Sequence, residues 1–263
     1  MAGGRADAQD TVGQGPRYRA PALDKGLDII EILAASPQPM TRAGITREMG
    51  RSASEAYRML ERLVARGYVT RIDGTDGYAL TMKLFLLAHA HPPLRRLAVQ
   101  AQPLMDRFAA GTRQSCHLVV PDSRCAVVIA QASPAAHWEF RIRVGAQLDL
   151  FSTGSGLTLL AFQPAASRAA TLASWGVDGA DQQLAAVADH LDAIRAAGHR
   201  AAPSRQLVGV EDLSVPVIGP GGDAFAVVTC ANIRHPDEAG DLARAATLER
   251  LLALAQDLSP PVA

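Results

Sequence analysis

The sequence has no excess of charge, almost no lysine, little cysteine and no long apolar run, and each shortage removes a class of function. Its 263 residues carry 26 basic and 26 acidic side chains, so the net charge is zero and the chain is not a polycation that coats nucleic acid by bulk neutralisation. Lys25 and Lys83 are the only lysines, which makes nearly every cation an arginine. No apolar stretch approaches the roughly 20 residues that span a bilayer. The opening segment MAGGRADAQD lacks the apolar core of a signal peptide, so a cytoplasmic protein with no membrane partner is expected. Cys116, Cys125 and Cys230 are an odd number, widely spaced, and each lies in an apolar strand-like run, which reads as buried reduced thiol. No Cys-x-x-Cys or His-x-x-x-His spacing occurs, so neither a metal nor another cofactor is expected. The G-x-S-x-G elbow of a serine hydrolase is missing as well. Ser155 stands in Thr-Gly-Ser-Gly without the wider pattern or a supporting His/Asp context, and no enzyme is expected.

What the chain does have is charge in one place. Between residues 41 and 71 lie Arg42, Arg47, Arg51, Arg58, Arg62, Arg66 and Arg71 against Glu48, Glu55 and Glu61. A local basic face on a neutral protein suits selective DNA binding. The same stretch reads as two short helices about a tight turn. Thr41 can cap the first, which runs to about Met49, and Gly50 breaks the pattern. In the second, Ala53, Ala56, Met59, Leu60, Leu63 and Val64 recur at helical spacing as a buried face, and Gly67 is a left-handed stop. This is a helix-turn-helix whose second helix can enter a major groove, with Ser52, Ser54, Tyr57 and Arg58 near the DNA. Arg42 and Arg51 are assigned to phosphates. Arg58 has a plainer alternative, pairing with Glu55 or Glu61 three residues away, and Tyr57 either meets the groove or packs under the helix.

Around this motif the order of elements is consistent. Residues 1–20 are Gly-rich, polar and expected to be disordered. A helix from Leu23 to Ala35 follows, with Leu27, Ile30, Ile32 and Leu33 as candidate core positions, ended by SPQP. GYVTRIDGTDGYAL gives two strands about a turn, a wing in which Arg71 and Thr75 can track a phosphate backbone. Residues 21–81 thus make a winged helix-turn-helix domain. Residues 82–93 read as a short linker helix broken by Pro92 and Pro93. A longer helix, about Leu94 to Ala110, places Leu97, Ala101, Leu104, Met105 and Phe108 on one side, and Pro103 should kink or divide it.

Residues 94–263 alternate between strand and helix signals. SCHLVVPD and CAVVIAQA flank Ser123 as a hairpin or meander, and WEFRIRV alternates as a strand. FSTGSGLTLLAF turns helical near Ser155. Helices are expected at 165–174, 181–197 and about 237–258, with EDLSVPVI and DAFAVVTCAN paired across GPGG. The class is α+β with a mainly antiparallel sheet. Cys116 and His117, as strand neighbours, point to opposite faces, whereas Ser115 and His117 share one and are candidate pocket residues. Gly154-Ser155-Gly156 at a helix start can present amides to an anion, or can be a plain strand-to-helix turn with Ser155 as cap.

With these elements in order, the chain resembles the IclR family of bacterial transcriptional regulators along nearly its whole length. The residues that carry the resemblance are ALDKGLDIIEIL, SEAYRMLERLVARGYV and GYALTMKLFLLA, then VGAQLDLFSTGSGLTLLAF, LVGVEDLSVPVI and GGDAFAVVTCANI. It implies a winged domain joined by a helix to a GAF-like effector-binding and oligomerisation domain, and a homodimer or dimer of dimers on palindromic double-stranded operator DNA. It also implies a small-molecule effector, commonly an organic acid, that shifts DNA affinity; repression is taken as the mode, with activation left open. Carried over by position, the effector site comprises the backbone of Gly154, Ser155 and Gly156 together with Asp212, Thr229 and Ala231. Three departures stand out: Leu80-Thr81-Met82 where the family has Leu-Gly, Gly156-Leu157 where it has Gly-Lys, and an acid at Asp212 that disfavours a carboxylate bound in the usual way. The competing reading is a metabolite-binding or catalytic α+β domain whose winged module contacts protein, and sequence-specific DNA binding separates the two.

Overall fold

The computed structural model describes residues 20–50, 52–90, 92–135, 140–234 and 240–259, and the chain divides into two compact units between positions 91 and 92. The stretch expected to be disordered lies, but for Ala20, outside the described residues. Among them no helix is long and apolar enough to cross a membrane.

The first unit runs α1 (Pro21–Ala35), β1 (Met40–Thr41), α2 (Arg42–Met49), α3 (Ala53–Ala65), β2 (Val69–Arg71), β3 (Gly77–Leu80) and α4 (Lys83–Ala90). A small antiparallel sheet in the order β1-β3-β2 makes the wing. Its core is Ile29, Leu33, Ile45, Leu60, Val69 and Tyr78. On α1 this corrects the sequence reading, because Ile29 rather than Leu27 is buried and Leu27 is left 47% exposed. The helix is apolar on two sides, and Ile29 and Leu33, one turn apart, are the pair that faces inward. On α3 Ala56 and Leu60 are buried, with Met59, Leu63 and Val64 packed partly against the core. Gly67 follows the helix at φ 73°, and the amides of Gly67 and Tyr68 close back onto Val64 and Leu63 carbonyls at 2.9 Å. The two-residue β1, too short for any alternation, was not legible in sequence.

The second unit is α5 (Pro92–Thr112), β4 (Cys116–Asp122), β5 (Cys125–Ala132), β6 (Gln147–Asp149), α6 (Gly154–Ala161), α7 (Ala165–Ser174), α8 (Ala180–Ala197), β7 (Arg200–Pro203), β8 (Val210–Ile218), β9 (Ala224–Ile233) and α9 (Gly240–Leu258). Its strands form one antiparallel sheet in the order β6-β5-β4-β9-β8-β7. One face is covered by α5 and α9, where Met105, Phe108, Leu118, Leu213, Val228 and Leu251 meet. The other carries α6 and α8 over Val119, Leu157, Leu160, Leu191 and Val227.

Two expectations are corrected here. Of the kink or division expected at Pro103, division does not occur: α5 runs unbroken from Pro92 to Thr112. Leu97 and Ala101 before the proline and Met105 and Phe108 after it are buried in one core, and that packing outweighs the lost backbone bond. WEFRIRV is not a strand in its described part: residues 140–143 join no ladder of the sheet, and residues 136–139 lie outside the described set. The chain meets the β5 edge only from Gly145, whose amide reaches the Val128 carbonyl at 2.8 Å, and β6 then occupies that edge.

Candidate functional site

In the first unit the residues singled out for DNA sit around the start of α2 and α3. The Thr41 hydroxyl caps α2, accepting from the Gly44 amide at 3.2 Å. Arg42 then lies over the Tyr57 ring, 5.4 Å from its centroid, tying α2 to α3. Gly50 takes the left-handed turn at φ 59°. Arg51 lies outside the described residues. Ser52 and Ser54 are exposed at the head of α3, their hydroxyls 3.4 Å apart.

The plainer alternative for Arg58 was a pairing with Glu55 or Glu61. Glu55 instead binds Lys25 Nζ at 2.6 Å, and Glu61 binds Arg71. Arg58 is exposed and makes no ion pair among the described residues. Arg71 differs, because its guanidinium bonds Glu61 and lies 5.8 Å from the Tyr78 ring centroid. The Glu61 bond holds Arg71 above the ordinary arginine range. It therefore fastens the wing to α3. An open cleft of about 1000 Å³ between α2, α3 and the wing is lined by Arg42, Arg47, Tyr57, Arg71 and Thr75, among others. Ser52, Ser54 and Arg58 stand outside it.

In the second unit a cavity of about 120 Å³ opens on the α6 side of the sheet. His117 of β4, Gly154 and Ser155 of α6, Asp212 of β8, and Thr229 and Ala231 of β9 all line it. The structure thus gathers six of the eight residues named from sequence. Ser115 lies in a small adjoining hollow with His117 and Ala231, its hydroxyl donating to Ser133 Oγ at 3.3 Å. Gly156 is not at the cavity. A Cβ there would stand 2.5 Å from the Asp149 carbonyl oxygen and the Leu150 Cα, so Gly156 lets α6 approach the preceding backbone.

The floor is a chain of polar groups. His117 Nε2 is 3.2 Å from Ser155 Oγ, Ser155 Oγ is 2.9 Å from Thr229 Oγ1, and Thr229 donates to Ser214 Oγ at 2.9 Å. Asp212 stands beside it, with Oδ2 3.6 Å from Nη1 of the buried Arg200. Burial pushes Asp212 above the ordinary carboxylate range, while Arg200 and a hydrogen bond from Ser204 pull it back. Arg200 also donates to the carbonyls of Pro203, Ala202 and Asp212, at 3.1, 3.4 and 3.5 Å. Phe140, Ile142, Leu148 and Val210 form apolar walls, and Ser204, Gln206 and Leu207 line the side formed by the loop before β8.

Sequence reasoning missed Arg200, Ser204, Ser214 and the walls. Arg200 reaches Asp212 only because β7 pairs with β8, with Ala202 opposite Asp212, and the four-residue β7 gave no strand signal. Ser214 had a legible clue, since it lies two residues from Asp212 on the same strand and so shares its face.

Burial lowers His117 from 6.5 to about 4, leaving the imidazole neutral at pH 7. The unfolded chain takes up that proton first, so stability is full above pH 6.5 and falls as the pH drops toward 4. We expect a loss of about 2 kcal/mol between pH 7 and pH 5, measured by urea denaturation, and its disappearance in His117→Gln. The thiols take no part in the cavity. Cys116 and Cys230 face each other in register on the opposite side of the sheet, and burial pushes Cys116 up to about 12. Among the described residues no three His, Cys, Asp or Glu side chains converge as a metal site requires.

Comparison with known proteins agrees with this layout. Residues 22–73 match the IclR helix-turn-helix domain, and residues 93–260 match the domain described as bacterial transcriptional regulator IclR C-terminal. The chain is 29% identical over 148 residues to RhmR of Escherichia coli strain K12, described as an uncharacterised HTH-type transcriptional regulator. That alignment covers 56% of this chain and 56% of RhmR, so the chain spans little more than half of that relative's length. Among solved structures, Pseudomonas aeruginosa HmgR is 26% identical with a TM-score of 0.68, covering 91% of this chain and 98% of HmgR. An IclR homologue from Microbacterium hydrocarbonoxydans, solved with 4-hydroxybenzoate, shares the fold at a TM-score of 0.71 and 23% identity, over 90% of this chain and 97% of its own.

Proposed function

The chain belongs to the IclR family of bacterial transcriptional regulators, and on that premise we propose that it is a repressor whose hold on an operator is set by a small molecule in the second unit. The observation that carries the DNA side is Arg58, exposed on α3 while both neighbouring glutamates bind other cations. In this reading α3 enters the major groove, where Ser52, Ser54 and Arg58 meet the duplex and Arg42 and Arg51 meet phosphates. Arg71 holds the wing in place. Two protomers read two half-sites, and Leu23 and Leu27 of α1 with Phe85 and Leu86 of α4, large apolar side chains left exposed, supply the pairing surface. The winged domain is residues 21–81 and the effector domain residues 94–263. The protein works in the cytoplasm, where its DNA is.

The effector seat is the cavity of His117, Gly154, Ser155, Asp212, Thr229 and Ala231, where the buried polar side chains of His117, Ser155 and Thr229 face open space. A ligand that binds one arrangement of the winged domains better than another changes operator affinity, and DNA changes ligand affinity by the same factor. The test is fluorescence anisotropy with the intergenic DNA beside the protein's own gene, across a salt series and against competitor DNA. A specific complex that weakens steeply with salt supports the reading, and binding no tighter than to competitor sinks it. Arg58→Ala should weaken the specific complex by about tenfold and lower the salt slope by about one. Unchanged affinity and slope would remove α3 from the groove.

A further inference from the structure

We propose that the cavity selects a small molecule with a hydrogen-bond-donating head, a hydroxyl or an ammonium group, and discriminates against a carboxylate. The inference rests on reading this cavity as the effector seat and names the chemistry it takes.

The proton count of the floor is the first argument. Thr229 donates its single hydroxyl proton to Ser214. The 2.9 Å contact between Ser155 and Thr229 must then be donated by Ser155. With that proton spent, the contact between His117 and Ser155 must be donated by the imidazole N–H at Nε2. The protons of Thr229, Ser155 and His117 Nε2 are all committed inside the protein, and what Ser155 and Thr229 have left for a guest is lone pairs. That leaves Ser204 and Gln206, both from the loop before β8, as the side-chain donors of the described lining, and Ser204 interacts with Asp212.

Charge is the second argument. Among the described residues, Asp212 is the charged side chain that lines the cavity. Arg200 does not line it, and spends its guanidinium on the Asp212 carboxylate and on backbone carbonyls of β7 and β8. The first turn of α6, otherwise a natural seat for an anion, already has an anion against it. Asp212 Oδ2 lies 3.0 Å from where a Cβ of Gly154 would stand, and the Gly156 amide is taken by the Thr153 hydroxyl at 3.0 Å. A guest carboxylate would meet a second carboxylate and a row of acceptors, whereas an alcohol or ammonium would give each of them a proton. The walls of Phe140, Ile142 and Leu148 and the volume of about 120 Å³ fit one small apolar body behind that head.

Titration calorimetry on the full-length, DNA-free protein tests this with matched probes: benzylamine, benzyl alcohol and benzoate, and butylamine, butanol and butyrate. Within each set only the head changes. We expect an amine or alcohol to bind at least tenfold tighter than its carboxylate. Asp212→Asn should lower ammonium affinity at least tenfold and narrow the gap to the carboxylate. A carboxylate that binds as tightly as its alcohol and amine, or no binding by any of the six, overturns the proposal. Because the wild-type series decides the matter alone, an Asp212→Asn protein that fails to fold does not. If the donors bind equally well to Ala231→Phe, the cavity is not the seat, and it is the effector-site reading that fails. Operator binding is measured without any probe, so the DNA reading stands or falls separately.

Discussion

Gly156→Ala is expected to destabilise the second unit strongly. The new Cβ would lie 2.5–2.6 Å from the Asp149 carbonyl oxygen and from the Leu150 Cα and carbonyl oxygen, and all three atoms are backbone. No side chain can swing aside, so either α6 retreats or the β6–α6 connection deforms. Both cost packing, since every residue of α6 is buried and Leu157, Leu159 and Leu160 belong to the core on that side of the sheet. Overpacking a core costs about 1–3 kcal/mol, and a clash with fixed backbone belongs at or above the top of that range. Calorimetry should show the melting of the second unit lowered by about 6–12 °C or more, at roughly 2–4 °C per kcal/mol for a unit of this size. The informative control is Gly26→Ala in α1, where an added Cβ meets nothing within 4 Å. There the substitution should be neutral or stabilise by about 0.5–1 kcal/mol, because alanine is the better helix former. Equal effects at the two glycines would show that the close approach at Gly156 is not what holds α6.

Ala231→Phe is expected to abolish the response to the effector while leaving effector-free operator affinity within about twofold, because the substitution lies in the second unit and removes no residue of the winged domain. Ala231 lies opposite Asp212 in the β8–β9 register and lines the cavity. Its methyl group makes no hydrogen bond, so a ring added there takes up the space without breaking the His117–Ser155–Thr229–Ser214 chain. Ser155 would be a poorer choice, since it stands in the middle of that chain. Anisotropy titrations of operator with and without effector check the outcome. A retained shift would place the effector elsewhere.

The first unit was legible because its signals are local. Thr41, Gly50 and Gly67 bound two helices, and Ala56 and Leu60 repeat at one helical turn between them. What sequence could not choose was the inward face of α1, where Leu23 and Leu27 compete with Ile29 and Leu33, nor the partners of Glu55 and Glu61, which come from α1 and the wing. In the second unit the long strands and α6 were visible for the same reason. Arg200 was not, because its role exists only once β7 lies beside β8, and an arginine in a short run of alanines carries no sign of the carboxylate 12 residues on. His117 and Thr229 were nameable individually, but their junction through Ser155 joins β4, α6 and β9 and depends on the whole sheet being assembled.

The three strands at the heart of the second unit carry their two duties on alternate residues. On β4, Cys116 and Leu118 pack toward α5 and α9 while His117 faces the cavity; on β9, Val228 and Cys230 do the former and Thr229 and Ala231 the latter; on β8, Leu213 and Val215 lie on the one side and Asp212 and Ser214 on the other. A substitution at His117, Asp212, Thr229 or Ala231 therefore leaves the α5 and α9 core untouched, and one at Leu118, Leu213 or Val228 leaves the cavity lining in place. Ligand preference and foldedness can thus be inherited separately. A lineage can exchange one small molecule for another at His117, Asp212, Thr229 and Ala231 without disturbing the packing of α5 and α9 on the other face.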